Sequence, residues 1–143
     1  MRILLDPNVL IALFDPRQVH HDRAHIWWEH PRASGCASCP LTQNGFVRVL
    51  SQQGYPNSVA TPVAIRILGE AVRAQDHAFW PDDLSITSGD HFRSERILGP
   101  KRVSDPYLLS LAVQREGRLA TFDRTIPLSA AEGATGRHLA MLS

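Results

Sequence analysis

The sequence predicts an α/β fold: a parallel sheet covered on both faces by helices. Three observations carry this reading. Ile3-Leu4-Leu5 and Leu119-Ala120-Thr121-Phe122 are short runs without polar alternation, the pattern of strands buried on both sides. Each run is followed at once by an acid, Asp6 and Asp123. Helix-opening signals recur between the runs at Asp6-Pro7, Thr61-Pro62 and Ser104-Asp105-Pro106, each a capping residue beside a proline suited to the first turn.

Taken in order, residues about 2–5 form the first strand and about 7–14 a helix with Val9, Leu10, Leu13 and Phe14 apolar. Asp15-Pro16 is a turn, and a helix over about 20–30 carries His25, Trp27 and Trp28. Pro31 to Gly35 is a loop. Thr42 is the N-cap of a helix over about 42–52, with Phe46, Val47, Val49 and Leu50 on its apolar face. Thr61-Pro62 opens a helix reaching about Gln75, striped by Val63, Ile67, Leu68, Ala71 and Val72. Leu84-Ser85-Ile86-Thr87 alternates and reads as the second strand, followed by a short helix over about 90–94. Asp105 starts a helix over about 105–116 that Glu116-Gly117 closes. A third strand at about 119–122, a loop or single turn, and a last strand at His138–Leu142 complete the chain.

Length and composition bound the rest. The 143 residues suffice for a single domain, 1–143, with a good core, and are too few for two ordinary ones. A net charge of +1 excludes a long cationic surface, so contact with nucleic acid would use a short local footprint. No run of about 18 apolar residues predicts a membrane span, and the N-terminus lacks the pattern of a signal peptide; a cytoplasmic protein is expected. Cys36 and Cys39 have no second pair to complete a zinc site and read as structural, with a redox dithiol as the less favoured use. His20 and His21 are adjacent, so on a helix they point apart. His21 and His25 share a face, but no Glu follows His21 as in the zinc-protease pattern.

The chemistry-bearing residues are three acids. Asp6 and Asp123 each follow a buried strand, and Asp105 opens a helix that feeds the next parallel strand. In a parallel sheet, strand exits and the starts of such helices lie on one edge, so the three acids can converge there. Grouped carboxylates repel one another and call for a cation; Mg²⁺ or Mn²⁺ suits an all-oxygen site and phosphodiester chemistry. Asn8 and Thr121 are placed to hydrogen-bond the acids, and Ser104 either to do the same or to cap its helix. Each acid also has a plain structural use, as an N-cap for Asp6 and Asp105 and as a turn residue for Asp123.

These residues resemble a known family. Leu4-Leu5-Asp6-Pro7-Asn8-Val9-Leu10, His20-His21-Asp22, Cys39-Pro40-Leu41-Thr42-Gln43-Asn44-Gly45-Phe46-Val47-Arg48-Val49, Ser104-Asp105-Pro106-Tyr107-Leu108-Leu109 and Leu119-Ala120-Thr121-Phe122-Asp123 together resemble the PIN-domain ribonucleases of the VapC toxin type, in order and spacing. The resemblance implies a three-layer α/β/α sandwich with a central, mainly parallel sheet. It also implies Mg²⁺- or Mn²⁺-dependent cleavage of RNA, and inhibition by a cognate VapB-like antitoxin. Asp6, Asp105 and Asp123 match acidic positions of that active site as catalytic and metal-binding residues. Gln43 stands where the family usually has another acid, which removes one negative charge.

Arg93, Arg96, Lys101 and Arg102 precede Asp105 and are candidate contacts to the RNA backbone, or simply a solvated loop. The apolar helices and Trp27/Trp28 are compatible with a homodimer. Two other readings compete. A non-catalytic RNA- or protein-binding module is motivated by Gln43. A phosphotransfer enzyme with Asp6 as nucleophile would carry a second Asp two residues on, where Asn8 stands.

Overall fold

Ile3–Leu5 (β1) lies at the centre of a five-stranded sheet because all three of its side chains are apolar and buried, a demand met only by a strand covered on both faces. The computed structural model describes residues 1–142. After β1 come α1 (Pro7–Phe14), α2 (His21–Trp28), β2 (Cys36–Ser38), α3 (Pro40–Ser51), α4 (Thr61–Arg73), β3 (His77–Phe79), α5 (Ser104–Gln114), β4 (Arg118–Thr121) and β5 (Leu139–Met141), with short 3₁₀ turns between some of them. The strand order is β3-β2-β1-β4-β5, and every pairing is parallel.

Period-two alternation along β1 divides the core into two layers. Ile3 and Leu5 pack with Val9, Leu10, Leu13, Phe46 and Leu68, the α1–α4 face. Leu4 packs with Leu108, Leu109, Leu111 and Leu119, the α5 face. The result is the three-layer α/β/α sandwich expected from the sequence. Each fully buried Leu or Ile contributes about 1.5–3 kcal/mol, enough collectively to offset the burial of polar groups at the sheet edge.

Several local expectations are corrected. Leu84–Thr87 is not a strand: Leu84 packs against the α5-side core but Ile86 is 41% exposed, so the alternation does not give one buried face. The missing strands are β2 and β3, which pair through Cys36↔His77 and Ser38↔Phe79. Their small, polar or half-exposed residues carry no apolar run to announce them. Thr42 is not the N-cap of α3. Cys39 holds that position, and its N–H donates to Thr42 Oγ1 (3.0 Å) within the first turn. Ala60, not Thr61, caps α4. α2 is shorter than expected, and Phe92 makes an antiparallel bridge with Ala131 where a short helix was expected.

After α5 the left-handed residue is Glu116 (φ 54°), not Gly117. Gly117 serves a close approach instead: a Cβ there would stand 2.6 Å from the Arg2 carbonyl oxygen and 2.8 Å from the Trp80 ring. Among the described residues no helix is long and apolar enough to cross a membrane.

Candidate active site

The strand order reverses direction at β1 and β4: β2 and β3 lie on one side of β1, and β4 and β5 on the other. Helices α1 and α5 cover opposite faces, so a crevice opens at the carboxyl ends of β1 and β4. Asp6 leaves β1 into that crevice, its N–H still paired to the Ala120 carbonyl (3.0 Å). It occupies the N-cap position of α1, but its side chain makes no capping bond. Its Oδ2 accepts a hydrogen bond from Thr121 Oγ1 (2.7 Å). The same hydroxyl oxygen accepts the Asp123 N–H (3.0 Å) and faces Asn8 Nδ2 at 3.4 Å. Thr121 therefore locks the exits of β1 and β4 together, and Asn8 bridges them more loosely, with its Oδ1 3.4 Å from the Phe122 nitrogen.

Asp123 is a turn residue that also faces Arg102. Its Oδ1 accepts from the Thr125 N–H (2.8 Å) and hydroxyl (2.6 Å), which fixes the carboxylate. Its Oδ2 lies 3.4 Å from Arg102 Nη1, and Arg102 also bonds the Thr125 hydroxyl. Asp105 lies in the first turn of α5, where Val103 and not Asp105 is the N-cap.

The electrostatics show how closely the three acids are coupled. Burial, with a further contribution from the Asp123 charge, pushes Asp6 up to about 6 against the pull of the Thr121 bond. Burial, then the Asp6 charge and a hydrogen bond to Asp123, pushes Asp105 up to about 7. Asp123 is held below the usual carboxylate range, first by the Thr125 hydroxyl, then by the Thr125 amide, Asp105 and Arg102. The two carboxyls are thus displaced in opposite directions, Asp105 upward and Asp123 downward.

The donor chemistry fits a hard divalent cation: oxygen ligands, mutual repulsion, and carboxylates whose burial without a counter-charge is unfavourable. The arrangement is not a closed coordination shell, since among the described residues no three His, Cys, Asp or Glu groups stand as a ready metal cluster. Arg102 and Thr125 engage Asp123 instead.

The comparisons with known proteins agree with this architecture. The chain is 47% identical over 142 residues to ribonuclease VapC44 of Mycobacterium tuberculosis, covering 99% of this chain and all of the relative. It is 38% identical over 134 residues to ribonuclease VapC39 of the same organism (93% and 96% of the two chains) and 40% identical over 124 residues to ribonuclease VapC29 (86% of each). The chain belongs to the VapC family of PIN-domain ribonucleases. No protein-family model matches it.

The other residues singled out in this VapC-family chain lie as follows. Gln43, in the first turn of α3, donates from Nε2 to Ser38 Oγ (2.9 Å), which in turn contacts His77 Nε2 (2.7 Å). Its amide is thus tied to the end of β2. Ser104 is exposed at the start of α5 and, among the described residues, makes no side-chain hydrogen bond. Arg93 is engaged by Glu132 through two bonds, 2.7 and 3.2 Å, which tie two loops together. Arg96 and Lys101 are exposed. Of the four basic candidates, Arg102 is the one in contact with the acids.

His21 and His25 bond the Ala12 and Leu13 carbonyls (2.8 and 2.7 Å), joining α2 to α1. Cys36 and Cys39 are buried free thiols pushed up to about 11 by burial, unsuited to redox exchange. Thr125 was not anticipated, although an Asp with a Thr two residues later just after a strand is a turn signal that points to it.

Proposed function

We propose that this chain is a Mg²⁺- or Mn²⁺-dependent endoribonuclease, the toxin of a toxin–antitoxin pair, acting in the cytoplasm and neutralised by a VapB-like antitoxin. The observation that carries the reading is the Thr121 hydroxyl tying the Asp6 carboxylate to the Asp123 backbone at the β1/β4 crevice, with Asp105 in the first turn of α5. Asp6, Asp105 and Asp123 are the residues that would hold the ion. A divalent ion held there supplies positive charge to a phosphodiester and lowers the pKa of water.

The chain's own residues do the rest. Thr121 aims the Asp6 carboxylate, and Thr125 aims that of Asp123. Asp105, in the first turn of α5, would face the ion as a carboxylate, a form that the cation's charge would favour. Lys101 and Arg102, at the turn before α5, offer donors to the RNA backbone.

The test is cleavage of RNA with Mg²⁺ or Mn²⁺ and with a chelator, repeated with Asp6→Asn and Asp105→Asn. The expected outcome is metal-dependent cleavage that each substitution lowers about 10²-fold or more. Cleavage indifferent to metal or to Asp6 would reject the reading. A non-catalytic RNA- or protein-binding module is the second reading, favoured by Gln43 and by the Arg102–Asp123 pair. It predicts no Mn²⁺ binding at millimolar concentration.

A further inference from the structure

Beside the acids lies a group that the proposed chemistry does not use. Phe122 directly precedes Asp123, and its half-buried ring packs towards the α1–α4 core. The Arg23 guanidinium sits over that ring, 5.1 Å from its centroid. The His20 ring lies against the same phenyl group at 5.1 Å, and Arg23 Nη2 reaches His20 Nδ1 at 2.7 Å. A guanidinium only donates, so His20 Nδ1 is the acceptor, and its ring proton is on Nε2. Arg23 is exposed and, among the described residues, pairs with no carboxylate. An arginine tethered by a ring and an imidazole, with donors to spare, is a preorganised receptor for a phosphate.

The three acids make the need for such a receptor specific. A crevice lined by carboxylates repels RNA, so the strand must be drawn in by cations at its rim. With a net charge of +1 the chain has few to spare. Arg102 stands on the α5 side of Asp123, and Arg23 stands on the α2 side, against the preceding residue. We propose that Arg23, held by His20 and the Phe122 ring, binds a backbone phosphate of the RNA beside the bond that is cut. Arg23 is then a positioning residue. It fixes where the strand lies across the acids and adds affinity without reading sequence. This subsite rests on the reading of the chain as a protein that acts on RNA.

Binding and cleavage separate the two ideas. Anisotropy of a labelled single-stranded RNA of mixed sequence, with the full chain carrying Asp105→Asn to block cleavage, gives Kd across about 50 to 300 mM KCl. Adding Arg23→Gln is expected to weaken binding about fivefold at 0.1 M salt and to lower the slope of log K against log salt by about 0.7, the share of one phosphate on a single strand. Arg23→Lys should restore the slope. Phe122→Leu, which keeps the packing but loses the ring face, should weaken binding with the slope retained. In the otherwise unchanged chain, Arg23→Gln should raise KM and leave kcat within about twofold.

An unchanged Kd and slope for Arg23→Gln, or no RNA binding by the parent, would overturn the subsite. RNA binding that depends on Arg23 in a chain that never cleaves RNA supports the subsite and removes only the nuclease reading.

Discussion

The Arg102 guanidinium lies 3.4 Å from the Asp123 carboxylate, so a fixed cation of the chain already occupies the position where a divalent ion is proposed to draw its charge. The two must compete for Asp123 Oδ2. The pair is partly exposed, and such pairs contribute about 0.2–1 kcal/mol. Replacing Arg102 by Gln is therefore expected to tighten Mn²⁺ binding by several-fold and not by orders of magnitude, measured by calorimetry. The same substitution should weaken RNA binding. Unchanged Mn²⁺ affinity would show that the pair does not reach the ion site.

The acids also set a pH dependence of stability in the metal-free chain. Asp6 and Asp105 rise from 3.8 to about 6 and about 7 on folding, chiefly through burial. Between those limits the folded chain binds more protons than the unfolded one. Their contribution is therefore present in full below about pH 4 and is lost as pH rises to about 7. His77 and His138 act in the opposite sense, since burial lowers both and their contribution is lost as pH falls below 6.5. Comparing Asp105→Asn with the parent isolates the carboxylate: thermal unfolding should show the variant gaining stability relative to the parent between about pH 4.5 and 7.5. A constant difference across that range would contradict the burial of Asp105.

Thr121 is the hydroxyl on which the crevice is assembled, since it donates to Asp6 and accepts from the Asp123 amide. Thr121→Val keeps the shape and leaves both groups without their partner, at a cost of about 1–3 kcal/mol for a buried unsatisfied group. Denaturant unfolding should show that loss at pH 7, and RNA cleavage should fall because Asp6 is no longer aimed. Thr121→Ser, which keeps the hydroxyl, should recover most of the activity.

Gly117 precedes β4 and lies against the Arg2 carbonyl and the Trp80 ring. Gly117→Ala forces backbone to move, and overpacking of this kind costs about 1–3 kcal/mol. The urea midpoint should fall with an unchanged m-value. Because β4 carries Thr121 and leads into Asp123, Mn²⁺ affinity should weaken with it.

The sequence by itself determined the parallel α/β architecture, the central strand, the helices α1 to α5 and the three candidate acids. Those features are local: apolar runs, helix-opening prolines and the acids just beyond β1 and β4 are written in nearby residues. Tertiary structure alone decided β2 and β3. Cys36-Ala37-Ser38 becomes a strand because β1 offers it an unpaired edge, and His77-Ala78-Phe79 because β2 in turn offers one, not because their own side chains demand it. It also decided which residues surround the acids. Arg102 and Thr125 meet at Asp123, and Arg23 meets Phe122, through contacts 21, 2 and 99 positions apart in the chain. No spacing rule announces the longer of these, because side-chain contacts across a sheet edge depend on how the layers pack and not on the order of residues.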